Sequence, residues 1–201
     1  NKIPAKTDIF YGSGDNEKVT FNRFSWNEEG GYYVASEQIF GLNTGSYTIS
    51  ETRPAVTGYN GQTKIGSGEL SSNKTVSGTV QLGTDGTTVV VENHYSRTTH
   101  ALTVRKNVDW TSESKAPDER DTYTVQVTIG TGGTAQKVSG LTVDNNSALD
   151  ATYVFTLQKD QTATVQNVPY GVAYAVKETK VTNNGGGEYS TPTYTNATGT
   201  M

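Results

Sequence analysis

Four residues of this chain combine a reactive type with an awkward position: Glu51, Asn93, Lys106 and Glu178. Each belongs to a run that alternates like a β-strand, in which every second side chain points to the same face. Tyr47, Ile49 and Glu51 share one face, as do Val89, Val91 and Asn93; Leu102, Val104, Lys106 and Val108; and Tyr174, Val176 and Glu178. An otherwise apolar face thus carries an acid, a carboxamide or an amine. Burying such groups unpaired costs several kcal/mol each, so they are expected to meet one another. Desolvation favours the neutral, nucleophilic form of an amine and the protonated form of a carboxyl group. A protonated Glu placed against an Asn carboxamide can polarise it and shuttle protons while the amine attacks and ammonia leaves. The product is an amide crosslink between side chains, made once and without a cofactor.

The elements that must position these groups read as short strands between turns. Lys18 to Trp26 and Tyr32 to Ser36 form a hairpin around the turn 27–31, and Asn43-Thr44-Gly45 leads into the Tyr47 to Glu51 strand. Thr75 to Leu82 and Thr87 to Tyr95 close the first half. Ala101 to Val108, Thr122 to Ile129, Lys137 to Val143, Thr152 to Leu157 and Thr162 to Val168 follow in the second. No segment of ten or more residues has a helical period. The expectation is all-β with little helix, six to eight strands per half in β-sandwiches. The polar connector Ser96 to His100 marks a boundary between domains 1–97 and 98–201.

Composition agrees and excludes several function classes. The 201 residues contain 12 Tyr and 22 Gly with only 32% hydrophobic residues, a balance suited to half-exposed strands and frequent turns. A net charge of −4 without a basic cluster argues against a nucleic-acid surface. The lack of cysteine excludes disulfides and thiolate chemistry, and two histidines are too few for the usual zinc site, so neither metal nor cofactor is expected. No apolar run is long enough to span a membrane as a helix, and the first residues lack signal-peptide features, so the chain reads as a mature or excised segment.

An internal repeat ties the halves together. Leu42 to Thr52 aligns with Val168 to Thr179, both reading as an apolar residue, a turn, Gly, then Tyr-x-φ-x-Glu-Thr. Ser77-Gly78-Thr79-Val80 recurs as Thr198-Gly199-Thr200-Met201. In this register the second half has no counterpart of the Asn93 strand within the 201 residues. Asn196 aligns with the loop before that strand and is a poor substitute.

The Lys106 strand, the repeated Glu strand and the Val-x-Val-x-Asn-x-Tyr run together resemble the CnaB-type domains of Gram-positive pilins and surface adhesins. The resemblance implies tandem immunoglobulin-like (prealbumin-like) sandwiches in a stalk or pilus shaft on the cell wall, each closed by a self-generated Lys to Asn isopeptide bond that a Glu assists. It assigns Glu51 and Glu178 as the acids, Asn93 as the acceptor and Lys106 as the second-half nucleophile. The first-half nucleophile is expected to be Lys6, with Lys18, Lys2 or no bond as alternatives; the inward neighbours of Lys6 would be Pro4 and Asp8, poor company in a core. Implied partners are neighbouring domains or subunits of the same fibre, with a sortase as a further candidate. The competing reading is a binding module presenting Trp26, Tyr32, Tyr33, Tyr59 or Trp110 to a host protein or glycan. No enzyme beyond the self-crosslinking is expected.

Overall fold

The computed structural model describes residues 6–12, 17–110, 116–186 and 188–201. Among these the chain is all-β, without an α-helix, and it divides into two compact units, Asn1–Ser96 and Arg97–Met201. Unit 1 contains β1 (Thr7–Phe10), β2 (Lys18–Phe21), β3 (Ser25–Asn27), β4 (Tyr32–Val34), β5 (Gly45–Thr52), β6 (Tyr59–Ile65) and β7 (Thr75–Leu82). β8 (Val91–Arg97) is its last strand and runs one residue past its boundary. Unit 2 contains β9 (Thr99–Arg105), β10 (Thr122–Ile129), β11 (Ala135–Lys137), β12 (Thr142–Asp144), β13 (Ala151–Leu157), β14 (Thr162–Pro169), β15 (Ala173–Thr182) and β16 (Thr198–Thr200).

In unit 2 one sheet has the order β11-β13-β10-β15-β16 and the other β12-β14-β9. Strict alternation builds the core between them: Tyr123, Val125, Val127 and Ile129 of β10 are all buried while their neighbours are not. They join Tyr153, Phe155 and Leu157 of β13, Leu102 of β9, and Ala163, Val165 and Val168 of β14 in one cluster fed by both sheets. The predicted strand Lys137 to Val143 is two strands. β11 runs parallel to β13 and β12 parallel to β14, so the chain changes sheets across residues 138–141. Alternation alone does not reveal such a crossing, because both pieces keep a period of two.

Unit 1 repeats the first of these sheets in the order β2-β1-β5-β7. β1 pairs with β5 through Ile9↔Glu51, as β10 pairs with β15 through Val125↔Glu178. β1 is therefore the counterpart of β10. The opposite strands of unit 1 are β6 and β8, hydrogen-bonded to each other, and β3 and β4 form a separate hairpin. The repeated glycines have a steric cause. A Cβ on Gly199 would lie 2.8 Å from the Tyr174 hydroxyl, and one on Gly78 would lie 3.2 Å from Ile65 Cγ2, so both β7 and β16 carry glycine where a side chain crosses them.

Candidate functional site

Each Glu strand brings its carboxylate into an enclosed place, as alternation requires. In unit 1 Ile49 and Glu51 are buried on the inner face of β5, and Glu51 has no exposed surface. Asn93, inward on β8, donates from Nδ2 to both Glu51 oxygens at 2.8 and 2.9 Å. The Thr7 hydroxyl of β1 donates to Glu51 Oε1 at 2.5 Å. The carbonyl end of Asn93 is held as well: the fully buried Thr63 hydroxyl donates to Oδ1 at 2.6 Å, and Arg53 Nη1 donates to Thr63 Oγ1 at 3.2 Å. Arg53 also donates to the carbonyls of Ser71, Ser72 and Asn73, which anchors it beside β6.

Lys6 is not in this site. It is exposed and pairs with Asp8 at 3.5 Å, and Lys18 lies 3.9 Å from the same carboxylate. The reason is parity: Thr7 and Ile9 take the inward positions of β1, which turns Lys6 and Asp8 the other way. The Pro4 and Asp8 flanks signal this in the sequence. Lys2 lies outside the described residues.

In unit 2 Lys106 Nζ stands 2.9 Å from Glu178 Oε2, with the two side chains 17% and 8% exposed. Lys106 continues the pairing of β9 with the chain beside β14: its N–H donates to the Gln161 carbonyl at 2.9 Å, and its carbonyl accepts from the Asp160 N–H at 2.7 Å. The ammonium also lies 4.4 Å from the centroid of the buried Tyr123 ring, a cation–π contact in a desolvated setting. Beside the pair opens a groove of about 320 Å³, lined by Lys106, Asn107, Val125, Glu178, Pro192 and Tyr194 among others. The Glu178 N–H donates to the Tyr194 hydroxyl at 2.9 Å. Asn196 is exposed in a left-handed turn, φ 54°.

A carboxylate clamp steadies the edge of this site. Asp121, almost fully buried, accepts from the Tyr189 hydroxyl, from the Asn184 N–H at 2.5 Å and from the Asp118 N–H at 3.1 Å. These bonds, the Tyr189 hydroxyl first, hold the Asp121 carboxyl below its ordinary range. Burial, with the bond to Asp121, pushes the Tyr189 hydroxyl far above the usual phenol range. The Tyr189 ring meets Tyr123 edge to face, with centroids 5.7 Å apart.

Residues 100–201 match the profile of a family described as "Domain of unknown function (DUF7601)". The chain belongs to this family. The DUF7601 match runs from within β9 through β16, and so takes in Lys106, Glu178 and the Asp121 carboxylate clamp but not the Glu51 site. No curated protein and no solved structure matches the chain.

Sequence reading missed Thr7, Thr63, Arg53 and Tyr123. Three of them carry a readable signal, since Thr7 shares parity with Ile9, Thr63 with Ile65, and Tyr123 with Val125. Arg53 lies beyond its strand, where period-two reasoning ends. Of the aromatics considered for binding, Trp110 is half exposed with the Lys159 ammonium 5.0 Å from its ring centroid, and Tyr32 is exposed. The Trp26 side chain lies outside the described residues.

Proposed function

We propose that this chain is a segment of a bacterial surface stalk, pilin or adhesin, built from immunoglobulin-like domains of CnaB type and stabilised by a side-chain isopeptide bond. The observation that carries this reading is the contact of Lys106 with Glu178, an amine and an acid held together on the inward face of a sandwich and walled by Tyr123. An amide joining Lys106 to an Asn on a strand laid along the groove would tie the sheets covalently. Tension would then pass through the bond without unzipping the ladders. Glu178 would carry a proton from the attacking amine to the leaving nitrogen. Such a crosslink provides, in a chain without cysteine, the resistance that secreted domains otherwise draw from disulfides. The reading places the protein outside the cell, on the wall or in a pilus, next to other subunits of the fibre.

The test supplies an Asn strand. A peptide copying Thr87 to Ser96 is incubated with the protein and the product weighed. The expected adduct is the sum of the two masses less about 17 Da for one ammonia, mapped to Lys106 and absent in Lys106→Arg and Glu178→Ala. Failure of the wild-type protein to form it overturns the assignment of Lys106 as nucleophile. The exposed Trp110 favours the second reading, a module for host protein or glycan; loss of a glycan-array signal on Trp110→Ala would support it.

A further inference from the structure

Unit 1 holds an acid and a carboxamide in contact, yet Lys6 and Lys18, beside its first two strands, turn away to Asp8, and Lys64 pairs with Glu92. The hydroxyl that does reach the acid belongs to Thr7, and it shares Glu51 Oε1 with the Asn93 nitrogen, at 2.5 and 2.8 Å. We propose that Thr7 and Asn93 react to form an intramolecular ester, Thr7 Oγ to Asn93 Cγ, so that unit 1 closes with oxygen where unit 2 uses nitrogen.

The site supplies each part of an acyl transfer. Thr7 Oγ attacks Asn93 Cγ while Glu51 accepts its proton. The charge that develops on Oδ1 is met by the Thr63 hydroxyl at 2.6 Å, which is itself polarised by the Arg53 guanidinium at 3.2 Å, a donor fixed in advance where the oxyanion forms. Glu51 then delivers the same proton to Nδ2, with which it is already in contact. The C–N bond breaks, the C–O bond forms and ammonia departs, so atoms and charge balance without any other reactant. Escape of ammonia into bulk water drives the exchange forward, and the absence of any exposed surface on Glu51 keeps a hydrolytic water from using the same base.

The need for such a bond is visible in the packing. Among the described residues of unit 1, only Ile49 and Ile65 are buried apolar side chains, too few to hold a domain of this size by burial alone. The ester would join β1 to β8, strands from opposite ends of the unit. It rests on the geometry around Glu51 and not on the amide proposed for Lys106.

Intact mass and peptide mapping of the purified chain test it. The expected result is a deficit of about 17 Da carried by a crosslinked pair of peptides containing Thr7 and Asn93, with the link in the isolated pair cut by mild alkali, which saponifies an ester and leaves a side-chain amide intact. Thr7→Val and Glu51→Gln should restore full mass, while Thr7→Ser should retain the deficit, showing that the hydroxyl and not the fold is what matters. A full-mass peptide containing Asn93 in the wild-type chain overturns the ester. So does a deficit that survives mild alkali and maps to a lysine. Neither result bears on the adduct of Lys106 with the strand peptide, so the two proposals fail separately.

Discussion

The two units build the same sheet and bury the same glutamate, but they meet it with different partners. β2-β1-β5-β7 repeats β13-β10-β15-β16, and Ile9↔Glu51 repeats Val125↔Glu178. The opposite sheet differs. In unit 1 it comes from strands after the Glu strand and delivers Asn93; in unit 2 it comes from strands before the Glu strand and delivers Lys106. A buried carboxylate is thus specified by its own strand, while the chemistry open to it depends on which strand covers it. The packing differs in parallel. Thirteen apolar side chains are buried in unit 2 against two in unit 1 among the described residues, so apolar burial carries unit 2 and hydrogen bonds carry a larger share of unit 1.

Deleting a core side chain from each unit is the strongest way to break this contrast. Phe155→Ala should cost about 3–5 kcal/mol, because a fully enclosed ring leaves a cavity, whereas Ile49→Ala in the thin core of unit 1 should cost about 2 kcal/mol. Urea unfolding followed by hydrogen exchange, which reports each unit by itself, measures both; equal costs would end the argument. Lys106→Met should come next, at about 3 kcal/mol, since it strands a largely buried carboxylate, and the double change Lys106→Met with Glu178→Leu should recover most of the loss. A double variant no better than the single would mean that the pair is not what unit 2 feels.

In unit 1 the matching change is smaller. Thr63→Val keeps the shape but leaves Asn93 Oδ1 without its donor, for a loss of about 2 kcal/mol that Thr63→Ser should largely avoid. The mildest effect is on pH. Because the folded carboxyl of Asp121 is held below its ordinary 3.8, its contribution is fully present above that value and is lost as the pH falls through the folded pKa. Acid titration of unit 2 should therefore show loosening around Tyr189 in that range, and Asp121→Asn should flatten it.

Alternation of apolar and polar residues made most of this legible. It located the strands that carry Glu51, Asn93 and Glu178 and the strand that ends just before Lys106. The repeat of Ser77-Gly78-Thr79 in Thr198-Gly199-Thr200 foretold that β7 and β16 take the same edge of equivalent sheets. Their registers differ by two residues, with Tyr47 opposite Val80 but Tyr174 opposite Gly199. Lys6 was misplaced by a single step. In a strand one step exchanges core for solvent, so a candidate chosen by type and order along the chain can lie on the wrong face.

The sequence by itself determined which side chains share a face, since a strand's period is set by local backbone geometry. It also determined that two glutamates would be buried and would need partners. Only the tertiary structure decided who those partners are. Glu51 found Thr7, Asn93 and, through Thr63, the Arg53 guanidinium; Glu178 found Lys106 beside Tyr123. Those meetings depend on how strands far apart in the chain are ordered and registered across two sheets, which no local pattern encodes.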